Sequence, residues 1–225
     1  CDRALGITSA EEQPVLPKGN NLSLHLLELF TSRVAKVGMT DGIRQVLQEE
    51  SDALRAYYEQ AGILIARPAG GTSCRLAISA KGGTNAENHN HNDVGSYAVA
   101  LGSETMVGDQ GGPNSYPGDY FNGDAPQKYK IKGSFGHPVP VVDGRTQSSG
   151  GKAKGVVLQK EFTNEKDVFS INYTSAYSTP NLDKLIRTFV YDRQGKGSFT
   201  VGDEFTAKTP IRFETAITTR ADWKI

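Results

Sequence analysis

The sequence predicts a mainly β protein: an antiparallel β-sandwich of jelly-roll type, preceded by two α-helices. After Gly62, short runs rich in β-branched and aromatic residues follow one another, separated by Gly, Pro, Asn and Asp. No helical periodicity interrupts these runs, and successive strands without helices between them are typical of sandwiches and jelly rolls. Before Gly62, apolar residues instead recur at spacings of three and four, as on one face of a helix.

The composition excludes several classes of protein. A chain of 225 residues can bury one large core or two smaller ones, and its 25 basic and 25 acidic residues cancel. We therefore expect neither nucleic acid nor a membrane surface as a partner. No apolar run approaches the roughly 18 residues that a membrane span needs. Two cysteines, Cys1 and Cys74, are too few for a disulfide framework or a thiolate metal site.

Two helices are predicted near the start of the chain. The first covers Leu22 to Val37, with Gly38 as its stop. Thr40 or Asp41 can cap the second, whose apolar face continues to Gln60. We therefore divide the chain into a tail with two helices, residues 1–61, and a β-sandwich, residues 62–225.

Ten strands are predicted in the second part, each bounded by turn residues. They are Ile63–Arg67, Arg75–Lys81, Ser96–Gly102, Glu104–Asp109, Val139–Asp143, Val156–Phe162, Asp167–Tyr173, Leu185–Tyr191, Ser198–Phe205 and Ile211–Thr218. Gly102-Ser103 and Arg193–Gly197 are predicted hairpin loops, and Asp143-Gly144 a turn. The long stretch from Gly111 to Phe135 has no clear periodicity, and loops of that length usually have a function.

Three of the four histidines suggest a metal site. On an extended chain, His89 and His91 would point to the same side, and Asn88, Asn90 and Asn92 to the other. Imidazole and carboxylate are the ligands that zinc prefers, so His137 and Asp109 would complete a set of donors.

These residues resemble a known family of enzymes. The stretch His89–Tyr97, the Asp109-Gln110-Gly111 turn with tyrosines after it, and Gly136-His137 with Val142-Asp143-Gly144 and Gln147 resemble the heparinase II/III-like polysaccharide lyases. The resemblance begins near Gly62 and continues to the end of the sequence. Members join an N-terminal α/α toroid to a C-terminal antiparallel β-sandwich, with the active site between them. The two predicted helices would then be the end of a toroid.

The resemblance implies a role for each matching residue. His89 matches the active-site histidine, and His91, Asp109 and His137 match the positions that hold a zinc ion. The implied reaction is β-elimination on a uronic-acid-containing acidic polysaccharide, with Tyr116 or Tyr120 near the substrate or donating a proton. In the family, further catalytic residues come from the toroid, so the resemblance leaves open whether this chain is active alone. It also implies a bacterial periplasmic or cell-surface location.

Other residues are expected to contact the substrate. Lys128, Lys130 and Lys132 alternate along the chain, which would place three ammonium groups on one face of an extended segment, and Arg145 follows. A solvated strand face explains the same pattern equally well. Asn88 and Asn90 are also candidate substrate contacts, although these amides often satisfy backbone groups in tight turns.

Two other functions fit part of the pattern. A cupin-type metalloenzyme would use His89 as a metal ligand, so its loss would lower the metal content. A non-catalytic carbohydrate-binding β-sandwich would carry zinc only as a structural element and would show no turnover. In the lyase, loss of His89 would abolish cleavage and leave the metal in place.

Overall fold

Strands make up most of the ordered structure in this computed structural model, which describes residues 53–108 and 115–219. One helical turn, α1 (Ala125–Lys128), and two short 3-10 turns (Ser134–Gly136 and Thr174–Ala176) accompany them in this part of the chain. The strands are β1 (Arg55–Tyr58), β2 (Ile63–Ala66), β3 (Leu76–Lys81), β4 (Gly83–Asn85), β5 (Tyr97–Leu101), β6 (Glu104–Val107), β7 (Pro140–Val142), β8 (Gly150–Phe162), β9 (Lys166–Asn172), β10 (Leu182–Asp192), β11 (Ser198–Ala207) and β12 (Phe213–Thr215).

The strands form two five-stranded antiparallel sheets and a small third sheet. The first has the order β1-β2-β3-β5-β6, and the second β11-β10-β9-β8-β4. A two-stranded sheet pairs β12 with β7. The segment that leaves β4 and enters β5 passes from the second sheet to the first, and it carries His89 and His91.

Within the described residues, the main hydrophobic core lies between the two large sheets. Along β10, Leu185, Arg187, Phe189 and Tyr191 are buried and alternate with half-buried residues, the two-residue period of a strand with one face inside. Phe169 on β9 faces Phe189 directly across the ladder, and the two rings stack at 6.0 Å. Aromatic pairs of this kind add stability beyond the burial of their area.

The sequence-based strand predictions are largely confirmed. Each of the ten predicted strands has a counterpart, and the fold is mainly β with antiparallel sheets. The largest differences are that β8 begins six residues before the predicted Val156 and that β12 covers only three of the residues predicted for Ile211–Thr218. The turn at Asp143-Gly144 is confirmed, and both residues have positive φ, of 53° and 73°, as a two-residue hairpin requires. The predicted hairpin loops at Gly102-Ser103 and Arg193–Gly197 are also present.

One helix boundary is wrong. The second predicted helix was expected to continue to Gln60, but Arg55–Tyr58 is a strand that pairs with β2 from Arg55 opposite Ala66 to Tyr58 opposite Ile63. Pairing with a buried strand overrides the helical spacing of Leu54, Tyr57 and Tyr58. The first sheet therefore begins before residue 62. The predicted helix Leu22–Val37 and the start of the second helix lie outside the described residues. Within the described part, no helix is long and apolar enough to cross a membrane.

Candidate functional site

The segment between β4 and β5 is a loop, and this corrects the expected extended geometry. The Asn85 side chain accepts a hydrogen bond from the Asp93 backbone at 3.1 Å, which holds the two ends of the loop together. The chain must reverse between them, and His89 takes a left-handed conformation with φ 58°. Non-glycine residues seldom adopt such angles, and those that do are frequent at functional sites. The prediction that His89 and His91 point the same way from a strand is therefore wrong.

Gln147 fixes this loop from the inside. Its side-chain oxygen accepts hydrogen bonds from the Val94 backbone at 3.0 Å and from Asn85 at 2.9 Å. Its amide nitrogen donates to the Val94 carbonyl at 2.7 Å, and its own carbonyl accepts from Asn92 at 3.0 Å. Because Gln147 and Asn92 are each only 1% exposed, these bonds form without competition from water. The loop is thus held rigidly just after His91.

A groove with a volume of about 390 Å³ opens beside the loop. This volume lies in the range of small-ligand sites. Its lining includes Asn88, His89 and Asn90 from the histidine loop, Phe121 and Asn122 from the long loop, and Ser149 directly before β8. The walls carry many side-chain amides, which both donate and accept hydrogen bonds. Such a surface suits a ligand rich in hydroxyl groups.

His89 lies against an exposed aromatic ring in this groove. The His89 and Phe121 ring centroids are 4.5 Å apart, and Phe121 is 48% exposed. Behind Phe121, the Lys132 ammonium lies 5.2 Å from its ring centroid and donates to the Tyr120 carbonyl at 2.7 Å. Burial lowers the pKa of Lys132. The groove therefore combines an imidazole, an apolar ring and a buried amine.

His91 turns away from this arrangement and meets His137. The distance from His91 Nδ1 to His137 Nε2 is 3.1 Å, with His91 half-buried and His137 only 1% exposed. Asp93 lies nearby, paired with Lys81 at 2.5 Å. Burial opposes the ionisation of Asp93, but Lys81, His137 and His91 together hold the pKa of its carboxyl below the ordinary value. The predicted ligands His91 and His137 are thus brought together, and His89 is not part of that pair.

The two imidazole nitrogens lie at the distance of a direct hydrogen bond between the rings, and the same distance is compatible with two ligands of one zinc ion. Two imidazole nitrogens bound to a tetrahedral zinc at about 2.0–2.1 Å lie about 3.3 Å apart. The observed 3.1 Å is close to this value. Asp109, the third predicted ligand, lies outside the described residues. Within the part of the chain that is described, no three His, Cys, Asp or Glu residues are grouped to hold a metal.

The two candidate tyrosines differ in accessibility. Tyr116 is 41% exposed, and its ring centroid lies 5.1 Å from that of Phe121, although neither tyrosine is among the residues that line the groove. Tyr120 is 2% exposed and packs between Tyr116 at 4.9 Å and Tyr129 at 5.2 Å. A role in packing the long loop suits Tyr120 better than contact with a substrate.

The proposed row of lysines is wrong. Lys128 ends the helical turn α1, and Lys132 is buried at 2% exposure, so the segment does not present alternate ammonium groups from one extended face. Lys128 forms an ion pair with Asp119, which also accepts a hydrogen bond from Tyr129 at 2.5 Å. This pairing neutralises Lys128 locally. Lys130 is exposed but does not line the groove.

Two further predicted residues have defined positions. Asn90 donates from its side chain to the His91 carbonyl, which is the backbone role considered for it, and it also lines the groove. Arg145 is exposed in the hairpin after β7, where its backbone pairs with Val142, and it does not line the groove.

Sequence reasoning missed several residues that shape the site. Phe121, Asn122 and Ser149 line the groove, yet none belongs to the histidine pattern. Phe121 could have been identified from its position next to Tyr120 in the long loop, because functional residues are often found in such loops.

Comparison with known proteins supports the fold. No protein-family model matches the sequence, and no curated protein matches it. Among solved structures, heparan sulfate lyase HepC from Pedobacter heparinus is similar, with a TM-score of 0.55 and 19% identity, and a mutant of the same enzyme gives 0.56 and 18%. Each match covers 73% of this chain and 25% of HepC, so this chain spans about a quarter of the length of that enzyme. At this identity the likeness shows a shared fold.

Proposed function

We propose that this chain is the β-sandwich portion of a polysaccharide lyase that cleaves uronic-acid-containing acidic polysaccharide by β-elimination. One observation carries the proposal: His89 lies in an amide-lined groove, beside a His91–His137 pair whose nitrogens are 3.1 Å apart. The likeness of the fold to heparan sulfate lyase HepC supports the same class of substrate. We further propose an N-terminal α/α toroid in the same protein and a periplasmic or cell-surface location in a bacterium.

Elimination next to a uronate needs three actions. The carboxylate must be neutralised, the proton on the adjacent carbon must be removed, and the leaving glycosidic oxygen must receive a proton. His89 is suited to the first or second action, because an imidazole nitrogen can donate a hydrogen bond to a carboxylate or accept a proton. Asn88 and Asn90 line the same groove and can donate amide hydrogen bonds to the sugar. Tyr116, which contacts Phe121, is the better placed of the two tyrosines for proton donation.

Phe121 gives the sugar a surface to pack against. Its ring is 48% exposed and lies 4.5 Å from the His89 ring, so an apolar sugar face on Phe121 would bring ring hydrogens close to the imidazole. Orientation of this kind is a large part of catalysis, since a held reactant avoids the entropy of encounter. Phe121 would therefore position the substrate while His89 acts on it.

His91, His137 and Asp109 would hold a zinc ion next to the groove. Bound there, zinc would supply a fixed positive charge and would connect the histidine loop to the segment that contains Asp109. His89 would act without binding the metal, because its ring packs on Phe121 and does not belong to the His91–His137 pair.

A carbohydrate-binding module with structural zinc is the second candidate. An exposed aromatic ring among side-chain amides, as at Phe121, Asn88 and Asn122, is sufficient for sugar binding without any reaction. The cupin-type alternative is weaker, because it requires His89 and His91 as neighbouring ligands on a strand, and this segment is a loop.

Turnover distinguishes the first two candidates. We would follow the ultraviolet absorbance of the unsaturated uronate product with a panel of heparan sulfate, other glycosaminoglycans and alginate. Both this chain and a longer form that includes an N-terminal toroid would be assayed, each with its His89→Ala variant. A lyase gives product that His89→Ala abolishes, while binding of the polysaccharide persists. Binding without product from either form would refute the lyase and favour the binding module.

A further inference from the structure

We propose that Arg187 is a positioning residue that sets the separation of His91 and His137. The inference rests on the proposed function, because it concerns the pair that would hold zinc there. Arg187 lies on β10, in the sheet behind the histidine loop, and is 1% exposed. It lines neither the groove nor the histidine pair, so its effect must pass through the backbone.

One nitrogen of Arg187 joins the two histidine-bearing segments. Its Nη1 donates to the Gly95 carbonyl at 2.8 Å and to the Pro138 carbonyl at 2.7 Å. Gly95 is four residues after His91, and Pro138 directly follows His137. The two segments are distant in sequence. Gln147 also links them, because it bonds to Asn92 and Val94 and its backbone N–H donates to the Ser134 hydroxyl at 3.0 Å. The Asn92 backbone also donates to the Lys132 carbonyl at 2.8 Å, on the other side of the pair.

The guanidinium is itself held in place. Its Nε and Nη2 donate to the two carboxylate oxygens of Asp203 at 2.8 Å and 2.7 Å. Asp203 also accepts a hydrogen bond from the Tyr173 hydroxyl at 2.8 Å. A bidentate pair fixes the plane of the guanidinium, so the direction of Nη1 is set by the sheet. The position of the histidine pair is thereby tied to β10 and β11.

Lysine cannot replace this arrangement. A single ammonium on a flexible chain does not match the planar fork that reaches one carboxylate and two carbonyls together. In Arg187→Lys at least one buried carbonyl loses its donor, and the Gly95 and Pro138 segments are free to separate. Metal affinity depends closely on how ligands are oriented, and loss of such outer contacts typically weakens it about 10- to 100-fold.

Arg193 provides a matched control. It too is buried, at 4% exposure, and it pairs with Asp167 while donating to the Arg67 carbonyl at 2.6 Å and the Leu54 carbonyl at 3.1 Å. Arg193→Lys therefore makes the same chemical change to a similar buried network. None of these partners belongs to a histidine-bearing segment.

The test is calorimetric titration with zinc of wild type, Arg187→Lys, Arg193→Lys and Asp203→Asn. We expect zinc affinity to fall about tenfold or more in Arg187→Lys, to fall less in Asp203→Asn, and to stay within about twofold in Arg193→Lys. Equal affinity in Arg187→Lys and wild type, or an equal loss in Arg193→Lys, would overturn the proposal. If Arg187→Lys does not fold, the zinc affinity of Asp203→Asn serves as the test, and an affinity equal to that of wild type would overturn the proposal.

A second measurement separates this inference from the zinc site itself. Ring-nitrogen NMR spectra of metal-free protein report the contact between His91 and His137. Arg187→Lys should change these ring signals, and Arg193→Lys should not. If wild type binds no zinc, the proposed metal site fails, and the ring spectra alone then decide the role of Arg187. Unchanged ring signals in Arg187→Lys would refute it.

Discussion

Replacing Gln147 by leucine should destabilise the protein strongly, although Gln147 lies in no strand. The Val94 N–H and carbonyl both bond to the Gln147 amide, at 3.0 Å and 2.7 Å, and leucine offers neither a donor nor an acceptor. Val94 is 0% exposed, so water cannot take over these bonds. Asn85 loses the same partner but keeps its bond to the Ser148 carbonyl at 2.9 Å.

The magnitude follows from the groups left without partners. Each buried polar group that loses its hydrogen bond costs about 1–3 kcal/mol, so two such groups cost about 2–6 kcal/mol of unfolding free energy. Urea denaturation, followed by far-ultraviolet circular dichroism, measures this loss directly. Gln159→Leu is the matched control, because Gln159 is exposed on β8 and bonds only to the exposed Glu161 side chain among the contacts described. That control should stay within about 0.5 kcal/mol of wild type.

The outcome that would refute this reasoning is a small effect. A loss below about 1 kcal/mol in Gln147→Leu would mean that the loop does not depend on these buried bonds. An equal loss in Gln159→Leu would mean that the substitution itself, and not the site, is the cause.

Three further predictions concern the groove, the charge network and the buried tyrosines. Phe121→Ala should weaken oligosaccharide binding about fivefold, since an aromatic contact contributes about 1 kcal/mol. Phe135 is also exposed but lies outside the groove, so Phe135→Ala should leave the affinity unchanged. Equal affinities of the two variants by calorimetry would contradict this prediction. Asp167→Asn should lower the unfolding free energy by about 3 kcal/mol in urea denaturation, because it breaks the buried ion pair with Arg193. Asp183 forms an exposed ion pair with Lys208, so Asp183→Asn should change the unfolding free energy little. Burial raises the pKa of the Tyr177 hydroxyl above its ordinary value of 10.0. The folded state therefore keeps the Tyr177 proton when the unfolded state loses it, and the unfolding free energy falls as the pH rises above about 10. Tyr177→Phe should therefore reduce the alkaline slope of the unfolding free energy by about 1.4 kcal/mol per pH unit, and an unchanged slope would count against the assignment.

The sequence was sufficient to predict the strands because their determinants are local. Turn residues such as Asp143-Gly144 and alternating buried positions such as those of β10 can be recognised from neighbouring residues alone. The strand Arg55–Tyr58 was missed because its spacing of Leu54, Tyr57 and Tyr58 also fits a helix, and only the pairing with β2 decides between them. The short strand Gly83–Asn85 carries no apolar pattern and was missed for that reason.

The residues of the site were predictable in part, because Asn88, His89 and Asn90 line the groove and Lys128, Lys130 and Arg145 do not. His91 and His137 were expected to meet, and they do. The direction of His89 was wrong because it depends on a loop closed by Asn85 and Gln147, and the contact between these two residues joins positions 62 apart in sequence. The lysine row failed for a similar reason, since the burial of Lys132 is set by its contact with the Tyr120 carbonyl.

The central claim is that the two histidines of the His89-Asn90-His91 element have different tasks. His89 lies in the groove against Phe121, and His91 pairs with His137 at a separation suited to zinc. The most direct measurement is the zinc content, by elemental analysis, of purified wild type, His89→Ala and His91→Ala. We expect one zinc per chain in wild type and in His89→Ala, and a large loss in His91→Ala. Loss of zinc in His89→Ala, or zinc retained in His91→Ala, would contradict the division of tasks.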